Sequence, residues 1–204
     1  MINTLGKAYA LTLCNNNKYI YYHNPKVATR SIIGFLSSCS VVNHSTKNEN
    51  EQLKYDITWD NYFQFSFVRN PYDRLLSCFI DKTKKVALTK YSVKCYDQYK
   101  DTNFKDFVMQ LNKYPWHHHD IHLAPQADLL NLKNIHFIGR FENLAKDFLH
   151  VVKALGMEEH YDSIGLSKKN PTWHKHYREY YDAEMIDKVR SIYSADFERF
   201  GYEF

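Results

Sequence analysis

Three short runs along the chain are dense in aromatic and β-branched residues, and each is followed by apolar positions at helical spacing. Lys18-Tyr-Ile-Tyr-Tyr-His23 predicts a strand ending at Asn24-Pro25, and Ile32, Ile33 and Leu36 then mark a helix starting near Thr29. Tyr62-Phe-Gln-Phe-Ser-Phe-Val68 is nearly continuous in apolar character, as a buried strand of a parallel sheet should be. It stops at Arg69-Asn70-Pro71, where Asn70 can cap and Pro71 can take the first helical position. Leu75, Leu76, Phe79 and Ile80 give that helix its apolar face. Asn134-Ile-His-Phe-Ile-Gly139 predicts a third buried strand, followed by a helix with Leu144, Phe148, Val151, Val152 and Leu155 on one stripe. A helix over Asn103–Leu111 and a long one from near Asp182, with Met185, Ile186, Val189, Ile192, Tyr193 and Phe197 inward, complete the pattern. Strand followed by helix, three times over, predicts an α/β fold around a mainly parallel sheet, with ligands bound in the loops at the carboxyl ends of the strands.

Composition narrows the class. At 204 residues, 44% apolar and 25% charged, the chain has the makings of one ordinary domain, residues 1–204. Lys plus Arg exceed Asp plus Glu by 27 to 23, which permits an anionic ligand but argues against a nucleic-acid partner. Four scattered cysteines with no CxxC pair read as reduced thiols. With no apolar run near the ~18 residues of a membrane span and no signal-peptide order at the N-terminus, the expectation is a soluble cytoplasmic protein. Residues 43–61 are polar and irregular, and 82–100 carry six lysines, read as a solvated face or as a track for an anionic acceptor.

The chemistry concentrates in two loops. In His23-Asn24-Pro25-Lys26-Val27-Ala28-Thr29-Arg30-Ser31, a helix starting near Ala28 or Thr29 aims its first N–H groups into the loop, Lys26 adds a mobile charge, and Thr29 and Ser31 add hydroxyls. These groups suit a phosphate or sulfate, yet the loop has no glycine, so it is no GxxxxGK[ST] site for ATP or GTP. In the second loop Arg69 ends a buried strand and needs an anionic partner, a protein carboxylate or a ligand phosphate. Ser77 lies two turns into the helix that follows, about 10 Å along it.

These residues carry a resemblance. Pro25-Lys26-Val27-Ala28-Thr29-Arg30-Ser31 resembles the 5′-phosphosulfate loop of sulfotransferases, and Val68-Arg69-Asn70-Pro71-Tyr72-Asp73-Arg74-Leu75-Leu76-Ser77 resembles their 3′-phosphate element. Asp81-Lys82, the HxxPQ-like His122-Leu-Ala-Pro125-Gln126, Phe137-Ile-Gly-Arg-Phe-Glu142 with Asp147-Phe148, and Asp196-Phe197 followed by Phe200-Gly201-Tyr202 are similar to the carbohydrate, Golgi-type branch. The resemblance implies a P-loop-like three-layer α/β fold and the donor 3′-phosphoadenosine 5′-phosphosulfate (PAPS). By matching position, Lys26, Val27, Ala28, Thr29, Arg30 and Ser31 would line the phosphosulfate, with Lys26 on the bridging oxygen. Arg69 and Ser77 would hold the 3′-phosphate, and His122 and Gln126 would meet a sugar or glycan acceptor.

Sulfuryl transfer needs positioning, cations at the leaving phosphate oxygen and a base for the acceptor hydroxyl, but no metal. His44 ranks first as that base, with His119, His122, Glu49 and Glu51 as competitors. The run His117-His118-His119-Asp120-Ile121-His122 has neither HExxH nor a nearby cysteine, so no metal is expected there. Two rivals stay open: a small kinase of the same fold, and an inactive relative that only captures an anionic ligand.

Overall fold

Asn15-Asn16-Asn17-Lys18 joins two apolar tetrapeptides, and in the computed structural model these form a hairpin. Strand β1 (Leu11–Cys14) pairs antiparallel with β2 (Tyr19–Tyr22), Leu11 opposite Tyr22 and Cys14 opposite Tyr19. Lys18 closes the turn in the left-handed region at φ 48°. The structure describes residues 10–39, 45–46, 61–84, 96, 99, 101–113, 120–130, 135–167 and 174–204. In chain order these form β1, β2, α1 (Thr29–Cys39), β3 (Ser45–Thr46), β4 (Phe63–Val68), α2 (Pro71–Phe79) and α3 (Phe104–Met109). There follow α4 (Gln126–Leu129), β5 (Phe137–Arg140), α5 (Leu144–Ala154), α6 (Glu158–Ile164), α7 (Ala183–Ile192) and α8 (Ser194–Phe200).

Among the described residues the strands form one sheet in the order β3-β1-β2-β4-β5. The strands β2, β4 and β5 run parallel to one another, while β1 and the two-residue β3 are antiparallel additions. The expected α/β fold with a central, mainly parallel sheet and helices packed on it is therefore present. No expected strand corresponds to β1, whose four residues are too few to display a period. The third strand lies at Phe137–Arg140, slightly later than its expected 134–139 span, although His136 already donates its N–H to the Gln64 carbonyl at 2.8 Å.

The chain divides into two compact units, Met1–Val68 with Asp128–Lys169, and Arg69–Ala127 with Asn170–Phe204. In the first unit, the sheet face bearing Tyr19, Tyr21, Phe65 and Phe67 packs against Ile32, Phe35 and Leu36 of α1 and Phe148, Val151 and Val152 of α5. Its rings meet at specific angles: Tyr21 stacks on Phe65 at 5.1 Å and Phe35 meets Phe148 edge-on at 5.1 Å. The opposite face of β2 and β4 is also buried, and it carries polar groups only because they are paired. The Tyr22 hydroxyl donates to Gln64 Oε1 at 2.7 Å, and the Ser66 hydroxyl to the Tyr22 carbonyl at 2.8 Å.

The second unit is helical. Asn70 caps α2 by accepting the Tyr72 N–H at 3.0 Å, with Pro71 in the first turn, as its sequence predicts. Tyr72, Leu75, Leu76 and Phe79 of α2 pack with Phe104, Phe107 and Val108 of α3 and with Met185 and Val189 of α7. The long helix expected from Asp182 is instead two helices, broken at Tyr193. The break has a tertiary cause. The Tyr193 hydroxyl donates to the Leu123 carbonyl at 2.8 Å, and Asp196 in α8 accepts the N–H groups of Gln126 and Ala127 at 3.0 and 2.8 Å. Asp196 thereby caps α4 from another segment of the chain.

Gly139 stands opposite Phe67 in the β4–β5 ladder, and a Cβ there would lie 2.3 Å from the Phe67 ring. Both residues sit in the middle of the pairing, so neither strand can shift to make room. Gly139→Ala is expected to destabilise the protein by about 1–3 kcal/mol in urea unfolding. A variant as stable as the wild type would show that the ring can swing aside.

Candidate functional site

The loop that leaves β2 is built without glycine, yet it turns through the left-handed region twice, at Lys26 (φ 72°) and Ala28 (φ 64°). Such backbone is costly for residues with a side chain and persists only where neighbours enforce it. The anchors are visible. Asn24 Nδ2 donates to the Phe67 carbonyl of β4 at 3.0 Å, the Thr29 hydroxyl donates to the Asn24 carbonyl, and Val27 is buried in the first core. Ala28 then accepts the N–H groups of Ser31 and Ile32, at 2.9 and 3.1 Å, to start α1.

Among the described residues, no hydrogen bond uses the N–H of Val27, Ala28, Thr29 or Arg30. Successive N–H groups in alternating right- and left-handed backbone form a concavity suited to an anion. The eleven-residue α1 adds the positive end of its dipole, and no acidic residue sits in its first turn to oppose an anion. Lys26 is half-buried and Arg30 exposed, while the side chains of Val27 and Ser31 are buried. Any contact from Val27 would therefore run through its backbone.

In the second unit, Arg69 is only 5% exposed and its Nε donates to Asp73 Oδ2 at 2.8 Å. The anionic partner that burial demands is thus a carboxylate one turn along α2. Asp73 also lies 3.6 Å from His174 Nε2. Ser77 continues the same helix face, buried at 1% exposure.

Gln126, the residue expected to meet the acceptor, lies inside the framework of the second unit. It is wholly buried, and its amide is engaged with the Arg69 backbone: Oε1 accepts the Arg69 N–H at 2.9 Å and Nε2 donates to the Arg69 carbonyl at 2.8 Å. Nε2 also donates to Asp196 Oδ2 at 3.2 Å. Burial pushes the Asp196 carboxyl above its ordinary value, against the charge of Arg74 and the N–H groups it accepts.

His122 keeps part of its ring accessible, its side chain 26% exposed. Its N–H and its Nδ1 both meet Asp120 Oδ1, at 2.8 and 2.9 Å. The buried Arg74 holds the same turn, donating from Nη1 to the Ala124 carbonyl and from Nη2 to the Ile121 carbonyl, each at 2.9 Å. Burial pushes the His122 imidazole below its ordinary value, and the charges of Lys82 and Arg74 push the same way, while Asp120 opposes them. Burial also disfavours the Asp120 carboxylate, but its bonds and charge interaction with His122, with a hydrogen bond from Tyr96, outweigh this and hold it at about 2.

His44, His119, Glu49 and Glu51 lie outside the described residues. Among the described residues no group of three His, Cys, Asp or Glu side chains could hold a metal ion. The partners missed at the sequence level are Asp73, Asp120 and Asp196. The first two carry local signals, an Arg with Asp four residues on and an Asp-x-His spacing that closes an Asx turn. Asp196 carries none, because its partners are 69 and 70 residues away.

Comparison with known proteins is consistent with these features. The family model described as "Sulfotransferase family" matches residues 1–203. The chain is 26% identical to carbohydrate sulfotransferase 10 of Xenopus laevis over 172 residues, covering 71% of this chain and 48% of that one. It is 28% identical to carbohydrate sulfotransferase 10 of Danio rerio over 173 residues, covering 70% and 47%. No solved structure matches the chain significantly. The chain spans about half the length of these relatives. The expectation of a cytoplasmic protein is overturned by these relatives, both of them carbohydrate sulfotransferases. Among the described residues no helix is long and apolar enough to cross a membrane.

His23, the residue that leads into the first loop, is buried with its Nε2 2.7 Å from the Thr12 hydroxyl, and burial lowers its pKa to about 4. Unfolding restores an ordinary value near 6.5, so the unfolded chain binds the proton more readily between the two. The neutral ring therefore favours the folded state above pH 6.5, and that contribution is lost as pH falls toward 4. In urea unfolding the wild type is expected to lose ~1.4 kcal/mol per pH unit across this window. The loss should be shallower in His23→Gln; equal slopes would mean that His23 is not the titrating group.

Proposed function

This chain belongs to the sulfotransferase family, and from that premise we propose that it transfers a sulfuryl group from PAPS to a hydroxyl of a carbohydrate. The observation that carries the proposal is the loop 24–30: an anion-shaped run of N–H groups at the start of α1, held open by left-handed Lys26 and Ala28 and carrying a lysine. The carbohydrate acceptor follows the names of the two relatives.

In this proposal the backbone of residues 26–30, with the Ser31 hydroxyl, holds the 5′-phosphosulfate, while the Thr29 hydroxyl stays on the Asn24 carbonyl and Arg30 lies at the exposed edge. Arg69 takes the 3′-phosphate, exchanging part of its contact with Asp73 for the ligand, and Ser77 supports it from the same helix face. Each region taken by itself offers groups suited to an anionic end of such a donor: N–H groups unbonded among the described residues and a lysine in the loop after β2, and a guanidinium with a hydroxyl at Arg69 and Ser77. PAPS, when bound, supplies an activated sulfuryl group. Lys26 and the helix start then stabilise charge on the oxygen that leaves with the nucleotide, work that needs positioning and cations more than covalent chemistry.

Thermal shift with the product nucleotide, 3′,5′-diphosphoadenosine, tests the donor site directly. At 100 times its dissociation constant a site-specific ligand adds about 2.7 kcal/mol, a plain rise in melting temperature. The rise is expected in the wild type and in Lys26→Ala, and it should be largely lost in Arg69→Ala. Turnover of PAPS should fall at least 100-fold in Lys26→Ala; full rate there would remove Lys26 from the mechanism. A rise with ATP and magnesium in place of the bisphosphate would replace the sulfotransferase with a kinase.

A further inference from the structure

We propose that His174 is a positioning residue for the phosphate at Arg69: when protonated it holds the Asp73 carboxylate and so releases the guanidinium to the ligand. The inference rests on the proposed donor site and adds to it the group that sets how tightly the 3′-phosphate is held. Every residue it uses belongs to the second unit.

Asp73 stands between two groups able to carry positive charge. Its Oδ2 accepts a hydrogen bond from Arg69 Nε at 2.8 Å, and its Oδ1 lies 3.6 Å from His174 Nε2. The three side chains are largely shielded from water, with 7, 15 and 9% exposure for Arg69, Asp73 and His174. Among the described residues, Arg69 and His174 are the basic groups that pair with this carboxylate.

The other ring nitrogen decides which protonation state suits the arrangement. His174 Nδ1 lies 2.7 Å from the Lys175 carbonyl oxygen, which can only accept, so Nδ1 carries a hydrogen. In a neutral ring Nε2 would then be a bare lone pair turned toward a carboxylate oxygen, two acceptors face to face. A proton on Nε2 turns that contact into an attraction between an imidazolium and a carboxylate, where water screens little. The other titratable groups near the pair are Tyr180, whose ring meets the imidazole edge-on at 6.4 Å, and Tyr181, which lies within reach of the Asp73 charge. Lys175 pairs instead with Glu179 at 3.3 Å on the exposed side. Neither tyrosine can bring positive charge to Asp73, so that role falls to His174.

A ligand phosphate at Arg69 competes with Asp73 for one guanidinium. With His174 neutral, the carboxylate that gives way is left shielded from water and without a cation, which is costly. With His174 protonated, Asp73 keeps a cation at Oδ1 while Arg69 turns to the phosphate. No covalent bond changes: a proton passes from solvent to Nε2, and the phosphate replaces the carboxylate at the guanidinium. By linkage, proton and phosphate each strengthen the binding of the other.

Calorimetric titration of the whole chain with 3′,5′-diphosphoadenosine at pH 6.0 and pH 8.5 tests this, with adenosine 5′-phosphate as the ligand lacking the 3′-phosphate. Each variant is compared with the wild type at the same pH, so that titration of the ligand's own phosphates cancels. In His174→Gln the bisphosphate Kd should rise about 5-fold or more at pH 6.0 and about 2-fold at most at pH 8.5, where the wild type too lacks the imidazolium. His174→Lys, a cation at both pH values, should match the wild-type affinity of pH 6.0 and keep it at pH 8.5. The Kd for adenosine 5′-phosphate should be unchanged in both variants, which separates loss of the Asp73 partner from loss of the fold.

Equal bisphosphate affinities in wild type and His174→Gln at both pH values would overturn the proposal while leaving the donor site standing. A loss of equal size at both pH values, or one shared by adenosine 5′-phosphate, would overturn it too, as the mark of a merely structural residue. If the bisphosphate binds the wild type at neither pH, the donor site itself fails, and the role of His174 falls with it.

Discussion

A single buried amide determines where β4 gives way to α2. Gln126 pairs with both the N–H and the carbonyl of Arg69, imitating with a side chain the two-bond exchange of an antiparallel pair. Its remaining capacity goes to Asp196, which also accepts the first N–H groups of α4. None of these groups can be removed without leaving another buried and unpaired, at a cost of roughly 1–3 kcal/mol each. The position of Arg69 is therefore set by a network rather than by its own charge. The 120–125 turn belongs to the same arrangement through Arg74 and through the Tyr193 hydroxyl on Leu123.

The loop after β2 solves a different problem. A phosphate-cradling loop usually relies on glycine for left-handed backbone, and this loop has none. Lys26 and Ala28 adopt the conformation regardless, at a cost on the order of 1–2 kcal/mol apiece. Asn24, Thr29 and the buried Val27 offset that cost by tying the loop to β4, to itself and to the core. Under the proposed function strain held in this way is a form of preorganisation, since the N–H groups of Val27 to Arg30 are left without hydrogen bonds among the described residues.

What could be read from the chain followed the range of the interactions. The Asn70 cap and Pro71 were legible because capping chemistry is complete within a few residues, and β4 was legible from six residues of strand character. The α/β architecture followed from three such segments in order. The strand β1 was not legible, because its identity depends on pairing with β2 across a four-residue turn. The break at Tyr193 was hidden for the same reason: α7 and α8 share one apolar period, and only distant bonds to Leu123, Gln126 and Ala127 separate them. Gln126 looked like a ligand contact because it is polar and stands in a recognisable motif. Its bonds to residue 69, 57 positions away, assign it to the framework.

Arg69 and His122, both in the second unit, share one device. Arg69 is met by Asp73 four residues on, and His122 by Asp120 two residues back, at 2.8 and 2.9 Å. A carboxylate so near in sequence is held by the same turn as the group it serves, so it fixes a rotamer or tautomer without relying on distant packing. Asp73 already occupies part of the Arg69 guanidinium, so under the proposed function a 3′-phosphate gains an exchange of anions, which is worth less than a bare Coulomb attraction. Asp120 meets the His122 ring at Nδ1 and holds its orientation within one short turn. Under that function the Asp73 pairing therefore tempers the binding of the nucleotide, because the phosphate gains only the difference between two anionic partners of the same guanidinium.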